Sequence, residues 1–231
     1  MNIYGVNNLI ERFAGRNNEV GFFFTLNQDL FIERHFGIVD TALVLPGVQK
    51  IPDSHKTIMN LPLEKQDYIS LPTEDRIQKN TLNPILNKTL YYVKLHGSFG
   101  WKSSDGVNRL VIGKDKEKQI REEPLLSWYF EIFEKALLLD ERKLFVIGYG
   151  FGDDHINKVI ADSVEHYGLK LYVLSPTPQV NFINKLNTVT HGNQILSALF
   201  GYFPYSLLNV FPADQSDTHS WAEVSDRFFS N

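Results

Sequence analysis

The sequence predicts an α/β fold: a mostly parallel sheet with helices on both of its faces. Three observations carry that expectation. Apolar runs of strand length at 20–25, 91–95, 143–147 and 170–174 alternate with stretches of helical spacing. The segment 143–174 reads strand, helix, strand, and such a unit implies parallel pairing. Several of these strands break off into glycines or polar side chains, and in open parallel sheets ligands bind just outside the carboxyl ends of the strands.

Composition narrows the class. Of 231 residues, 43% are hydrophobic and 13% aromatic, with 17 Phe and 10 Tyr, so the chain can bury a core and is not of the disordered kind. The net charge of −4 is spread over both signs, which excludes the basic face of a nucleic-acid binder. The most basic stretch, 114–121, also holds Asp115 and Glu117 and reads as a solvated face. Absence of cysteine excludes disulfides, a Cys-ligated zinc site and a thiol nucleophile. The first residues lack the pattern of a signal peptide. No apolar run approaches the roughly 20 residues that span a bilayer. A soluble, cytoplasmic protein is expected, with no membrane or direct nucleic-acid partner.

In order along the chain, 3–14 has helical spacing, with Ile3, Leu9, Ile10 and Phe13 on one face. The continuous apolar run 20–25 is what a strand buried on both faces needs. Residues 29–36 have helical spacing, and Gly37 is a natural stop. Prolines at 46, 52, 62, 72 and 84 interrupt 38–90, which reads as an irregular insertion serving as a lid or partner surface. A strand follows at 91–95. Residues 99–102 and 109–113 read as a hairpin around the turn Ser103-Ser104-Asp105-Gly106. A long helix is expected from 122 to 139, with Pro124 in its first turn and Leu125, Trp128, Tyr129, Ile132, Phe133, Ala136 and Leu137 at helical spacing. The strand–helix–strand unit spans 143–147, 153–166 and 170–174. A helix over 179–186 follows Pro176 and Pro178. The stretch 191–212 is apolar and aromatic without a clear period, and 221–229 reads as a closing helix. With no repeat and no clean linker, 1–231 reads as a single domain.

Three segments could carry chemistry. Strand 20–25 runs out into Asn27 and Asp29, and strand 91–95 into His96 and Gly97. A histidine's ordinary pKa, about 6.5, suits proton transfer near neutrality. The plainer alternative is a histidine bonded to backbone, and Asn or Asp after a strand often caps the next helix. The third segment, 144–154, ends a strand in Gly148, Gly150 and Gly152 and opens a helix at Asp153. Such a turn lets backbone N–H groups approach an anionic or ribose-bearing ligand. The spacing is not the dinucleotide fingerprint, so a structural turn capped by Asp153 stands beside that reading. All three segments are expected on one edge of one sheet. The remaining histidines do not cluster at ligand spacing, and no metal is expected.

At these segments the chain resembles the sirtuin-like family of NAD-consuming domains, in its prokaryotic branch. Thr25-Leu26-Asn27-Gln28-Asp29 resembles the family's Thr-x-Asn-x-Asp. Lys94-Leu95-His96-Gly97-Ser98-Phe99-Gly100-Trp101 resembles Lys-Leu-His-Gly-Ser-x-x-Trp. Residues 148–157, from Gly148-Tyr149-Gly150-Phe151 to His155-Ile156-Asn157, resemble Gly-Tyr-Ser-Phe-x-Asp-x-His-Ile-Asn. The likeness runs in order from about 20 to 176. It implies a Rossmann-like fold that binds NAD as substrate and cleaves the bond between nicotinamide and ribose through an oxocarbenium-like state. Asn27 would position water or the nicotinamide ribose, and His96 would be the base at the ribose hydroxyl. Asp29 would orient the nicotinamide end, with Thr25 and Gly97 lining the same part of the site. Gly148, Tyr149, Gly150, Asp153 and the turn through Ser175 would face the adenosine half.

Two departures shape the expectation. Lack of the four-cysteine zinc ribbon points away from protein deacylation and toward NAD hydrolysis, in that family often the toxic effector of antiphage defence. No Gly-rich pyrophosphate loop precedes Asn27, so the domain reads as N-terminally incomplete, with a second copy or a partner chain completing the site. The alternatives are a sirtuin-like module that binds nucleotide or protein without catalysis, and an unrelated α/β domain. Nothing in the sequence selects NAD over NADP.

Overall fold

The computed structural model describes residues 2–15, 20–35, 43–48, 68–79, 89–103, 105–139 and 141–229. The fold class is α/β with parallel strands, as the alternation of elements predicts. Among the described residues the strands form short separate sheets: 20–25, 89–94 and 43–44 in that order, 69–70 with 101–102, and 143–147, 170–174 and 199–203 in that order. The chain divides into two compact units, 7–133 in one and 1–6 with 134–231 in the other. Most of the insertion expected at 38–90 lies outside the described residues.

The unit of residues 7–133 is built on β1 (Val20–Thr25), β2 (Leu43–Val44) and β4 (Thr89–Lys94). β4 is central and parallel to both neighbours. The partner register runs from Val20 opposite Thr89 to Thr25 opposite Lys94. Aromatic residues at matched positions face each other across it, Phe22 with Tyr91 at 5.9 Å and Phe23 with Tyr92 at 5.4 Å between ring centroids. Such cross-strand pairs contribute beyond their buried area. The expectation that 20–25 is buried on both faces is corrected. β1 is an edge strand and is half-buried throughout, whereas central β4 is buried, with Tyr92 and Val93 at most 1% exposed. Apolarity alone points the other way, because the buried central run is the one that carries a lysine.

Short helix α2 (Phe31–His35) follows β1, inside the span expected for it. β3 (Ile69–Ser70) and α3 (Glu74–Lys79) fall in the stretch read as irregular. β5 (Trp101–Lys102) pairs in parallel with β3 and not with 109–113, so the expected hairpin is not formed. Its turn is real: Ser103 N–H donates to the Val107 carbonyl at 3.0 Å, and Val107 N–H to Asp105 Oδ1 at 3.0 Å. The returning chain is drawn elsewhere, because Val111 N–H donates to the His96 carbonyl at 3.1 Å.

The long helix expected over 122–139 is present as α5 (Pro124–Leu137), and a separate short helix that was not expected, α4 (Lys116–Glu122), precedes it. Glu123 is extended between them, at φ −105° and ψ 113°. A residue before proline is driven out of the helical region, so Pro124 starts a helix and ends its predecessor. Trp101 and Tyr129 pack edge to face at 6.0 Å, and the Tyr129 hydroxyl donates to the Pro46 carbonyl at 2.7 Å.

The other unit centres on β6 (Lys143–Ile147), α6 (Asp154–Tyr167), β7 (Lys170–Leu174) and β8 (Leu199–Phe203), all three strands parallel. The expected strand–helix–strand unit is thus present, and Gly168 closes α6 in the left-handed conformation. α7 (Gln179–Leu186) follows Pro178 as expected. The aperiodic stretch resolves into α8 (Gly192–Ser197), β8 and α9 (Leu207–Val210). The closing helix is α10 (His219–Val224), running into one π-helical turn, Ser225–Phe229. The Phe228 ring lies 4.9 Å from both Phe145 and Tyr172, tying that turn to the sheet. Gly5, in α1 (Ile3–Glu11), leaves no room for a Cβ beside Phe211.

Candidate functional site

Parallel pairing carries β1 and β4 to the same edge, and both chains leave the sheet together. Leu95 N–H donates to the Thr25 carbonyl at 3.0 Å, extending the ladder one residue beyond the strands. Asn27 and His96 follow two residues after the matched pair Thr25 and Lys94. The structure therefore brings together Thr25, Asn27, Asp29, His96 and Gly97.

Local chemistry explains the residue types in the first loop. The Thr25 hydroxyl accepts from Asn27 N–H at 3.0 Å, so the threonine sets the backbone of the asparagine. Asn27 is exposed, and among the described residues no hydrogen bond occupies its side-chain amide. Asp29 Oδ1 accepts from Phe31 N–H at 2.8 Å at the start of α2. The capping alternative for Asp29 is thus what its side chain does; Asn27 is not used in that way.

In the second loop His96 is 4% exposed and Ser98 is fully buried. Gly97 has φ +79°, and a Cβ there would stand 2.4 Å from the Arg109 carbonyl oxygen. A left-handed residue with no room for a side chain must be glycine, which gives the His-Gly pair a structural cause.

Two residues that sequence reasoning passed over join the loops. The Gln28 side-chain amide donates to the carbonyls of His96 and Val111, each at 3.0 Å, while the Gln28 backbone carbonyl accepts from Phe99 N–H at 2.9 Å. Lys94 is fully buried and pairs with Glu33 at 2.8 Å, itself 1% exposed. The same ammonium donates to the Asp29 carbonyl. The Tyr92 hydroxyl donates to the other Glu33 oxygen at 3.3 Å, and burial followed by the neighbouring Glu33 charge pushes its pKa well above the ordinary tyrosine value. A lysine at the end of an otherwise apolar strand, and a glutamate in the short helix after β1, are the only marks of this pair in the sequence.

The other unit holds the remaining predicted residues at the carboxyl ends of β6 and β7. Gly148 N–H donates to the Leu174 carbonyl at 3.3 Å, and Ser175 N–H to that of Phe203 at 3.1 Å. Gly148 has φ +66° with open space where a Cβ would stand. The glycine turn thus closes the β6-β7-β8 sheet and not the sheet that carries Asn27 and His96, a correction to the expectation of one shared sheet. The turn is knotted by Asn157, fully buried in the first turn of α6. Its Nδ2 donates to the Phe151 carbonyl at 2.9 Å, and its Oδ1 lies 3.0 Å from the Tyr149 hydroxyl. That hydroxyl also accepts from Asp153 N–H at 3.2 Å, and burial raises the Tyr149 pKa above the usual value. Asp153 takes the N-cap position but makes no side-chain capping bond; its carbonyl accepts from Ile156 and Asn157 N–H, each at 3.0 Å. Gly150 lies against Lys185, whose Nζ is 3.3 Å from where a Cβ would stand.

Among the described residues no group of three or more His, Asp or Glu could hold a metal ion, and no helix is long and apolar enough to cross a membrane. The paired parallel strand ends, each releasing a polar loop, form the kind of edge at which open α/β sheets bind their ligands. The SIR2-like domain model matches residues 21–191, and the chain belongs to that family. Membership connects it to NAD-related chemistry. No curated protein matches the chain.

Proposed function

We propose that this chain hydrolyses NAD at the bond between nicotinamide and ribose, releasing nicotinamide and ADP-ribose, as an effector of antiphage defence. The observation that supports the reading is the register of β1 against β4, whose last matched pair, Thr25 and Lys94, comes two residues before Asn27 and His96. The residues suit such a substrate: Asn27 offers an exposed amide with no internal partner among the described residues, and His96 an imidazole on a loop fixed by Gly97. NAD would supply a glycosidic bond whose cleavage leaves positive charge on the ribose carbon. Asn27 would hold the attacking water or the ribose by its amide, and His96 would take a proton from the ribose hydroxyl. Asp29 would orient the nicotinamide end, with its own backbone fixed through Lys94. Thr25 and Gly97 would shape that end of the site; Gly148, Tyr149, Gly150, Asp153 and Ser175 would serve the adenosine half.

The whole chain would act as one domain in the cytoplasm, with a second copy or a partner chain providing the pyrophosphate cradle. The burial of His96 favours a second reading, nucleotide binding without turnover. Incubating the purified chain with NAD, beside Asn27→Ala and His96→Ala, separates the two. Nicotinamide release that both variants abolish supports hydrolysis. NAD binding by calorimetry without release at high protein concentration supports the binding module and defeats the hydrolase.

A further inference from the structure

We propose that Gln28 is the positioning residue of this site, the clamp that fixes the spacing between the Asn27 loop and the His96 loop. As regards turnover, the proposal rests on the hydrolase reading above. Two parallel strands that end side by side do not by themselves hold their loops in register, because the ladder stops at the Leu95 to Thr25 bond. Beyond it, the next links between the loops run through Gln28. Its amide carries two N–H donors in one plane, and each meets a different carbonyl at 3.0 Å, that of His96 and that of Val111. Its backbone carbonyl takes Phe99 N–H at 2.9 Å, so the residue bonds ahead of and behind Gly97-Ser98. Val111 N–H closes a ring by donating to the same His96 carbonyl at 3.1 Å. Gln28 is adjacent to Asn27 in sequence and bonded directly to the His96 carbonyl, so its amide ties together the two backbones that carry the proposed catalytic side chains. Glutamate in its place has the same shape but no donor when ionised, and methionine has similar length with neither donor nor charge.

The test is Gln28→Met and Gln28→Glu in the full chain, read in two independent ways. Nuclear magnetic resonance follows the Asn27 side-chain amide and the His96 ring, each assigned by its loss in Asn27→Ala or His96→Ala. Nicotinamide release gives kcat and KM for NAD. Displacement of a reacting group by about 1 Å costs up to a hundredfold in rate. Both variants are expected to move the two sets of signals and to lower kcat roughly tenfold to a hundredfold with KM nearly constant. A purely structural role would lower the melting temperature and leave kcat per folded molecule intact. Unmoved Asn27 and His96 signals in both variants overturn the proposal whatever the turnover. Moved signals with full kcat overturn the positioning role. Moved signals in a chain that never releases nicotinamide uphold the clamp and defeat the hydrolase reading instead.

Discussion

Replacing Lys94 by methionine is the most revealing perturbation of this fold. The ammonium is fully buried, 2.8 Å from a Glu33 carboxylate that is 1% exposed, and it also carries the Asp29 carbonyl. Methionine fills a similar volume, so packing is nearly conserved and the electrostatic change dominates. What remains is a buried carboxylate that keeps the Tyr92 hydroxyl, a neutral donor at 3.3 Å, and has lost its counter-charge. Removing one partner of a buried pair costs about 3–5 kcal/mol, because the surviving charge keeps its desolvation penalty without compensation. Against a total stability of about 5–15 kcal/mol, that is a large fraction. With a urea m-value of about 2 kcal/mol/M, the midpoint should fall by roughly 1.5–2.5 M. The double variant Lys94→Met, Glu33→Gln should recover part of the loss, since no charge is then stranded. Urea unfolding of the native chain, both single variants and the double variant completes the cycle. A loss below about 1 kcal/mol for Lys94→Met, or strict additivity in the double variant, would refute the account of a desolvated, mutually dependent pair.

Other outcomes follow from the same geometry. Gly97→Ala should lose about 1–2 kcal/mol from the left-handed backbone alone, plus the cost of the contact with the Arg109 carbonyl, read as a lower urea midpoint with weaker turnover. Asn157→Ala should loosen the glycine turn by removing the bonds to Phe151 and Tyr149, read as faster amide hydrogen exchange over 148–153. Glu123 is buried, and desolvation raises its pKa above the ordinary glutamate value. A raised acid pKa means that the folded state binds the proton better, so this group costs stability at neutral pH and the cost disappears on acidification. Glu123→Gln should therefore raise the melting temperature at pH 7, with the gain shrinking as pH falls from the raised value toward the ordinary glutamate value and gone below it; a gain that does not change over that range would contradict the burial argument.

What the sequence determined was the set of elements governed by local rules. The strands at 20–25, 143–147 and 170–174, the helices after Pro178 and within 154–167, and the loop-borne Asn27 and His96 all announce themselves through period, proline and glycine. Pro124 marks the start of the helix Pro124–Leu137 by the same kind of local rule, since a proline holds the residue before it out of the helical region. Tertiary structure alone decided which strand is central. β4 carries a lysine and β1 no charge, yet their neighbours make β1 an edge and β4 the buried middle. It alone decided that 109–113 returns to the His96 carbonyl instead of forming a hairpin, because a backbone hydrogen bond leaves no mark on side-chain pattern. It also decided that Gln28, Glu33 and Lys94 join the two loops, for such contacts span 61 to 83 residues of chain and no periodicity encodes partners so distant.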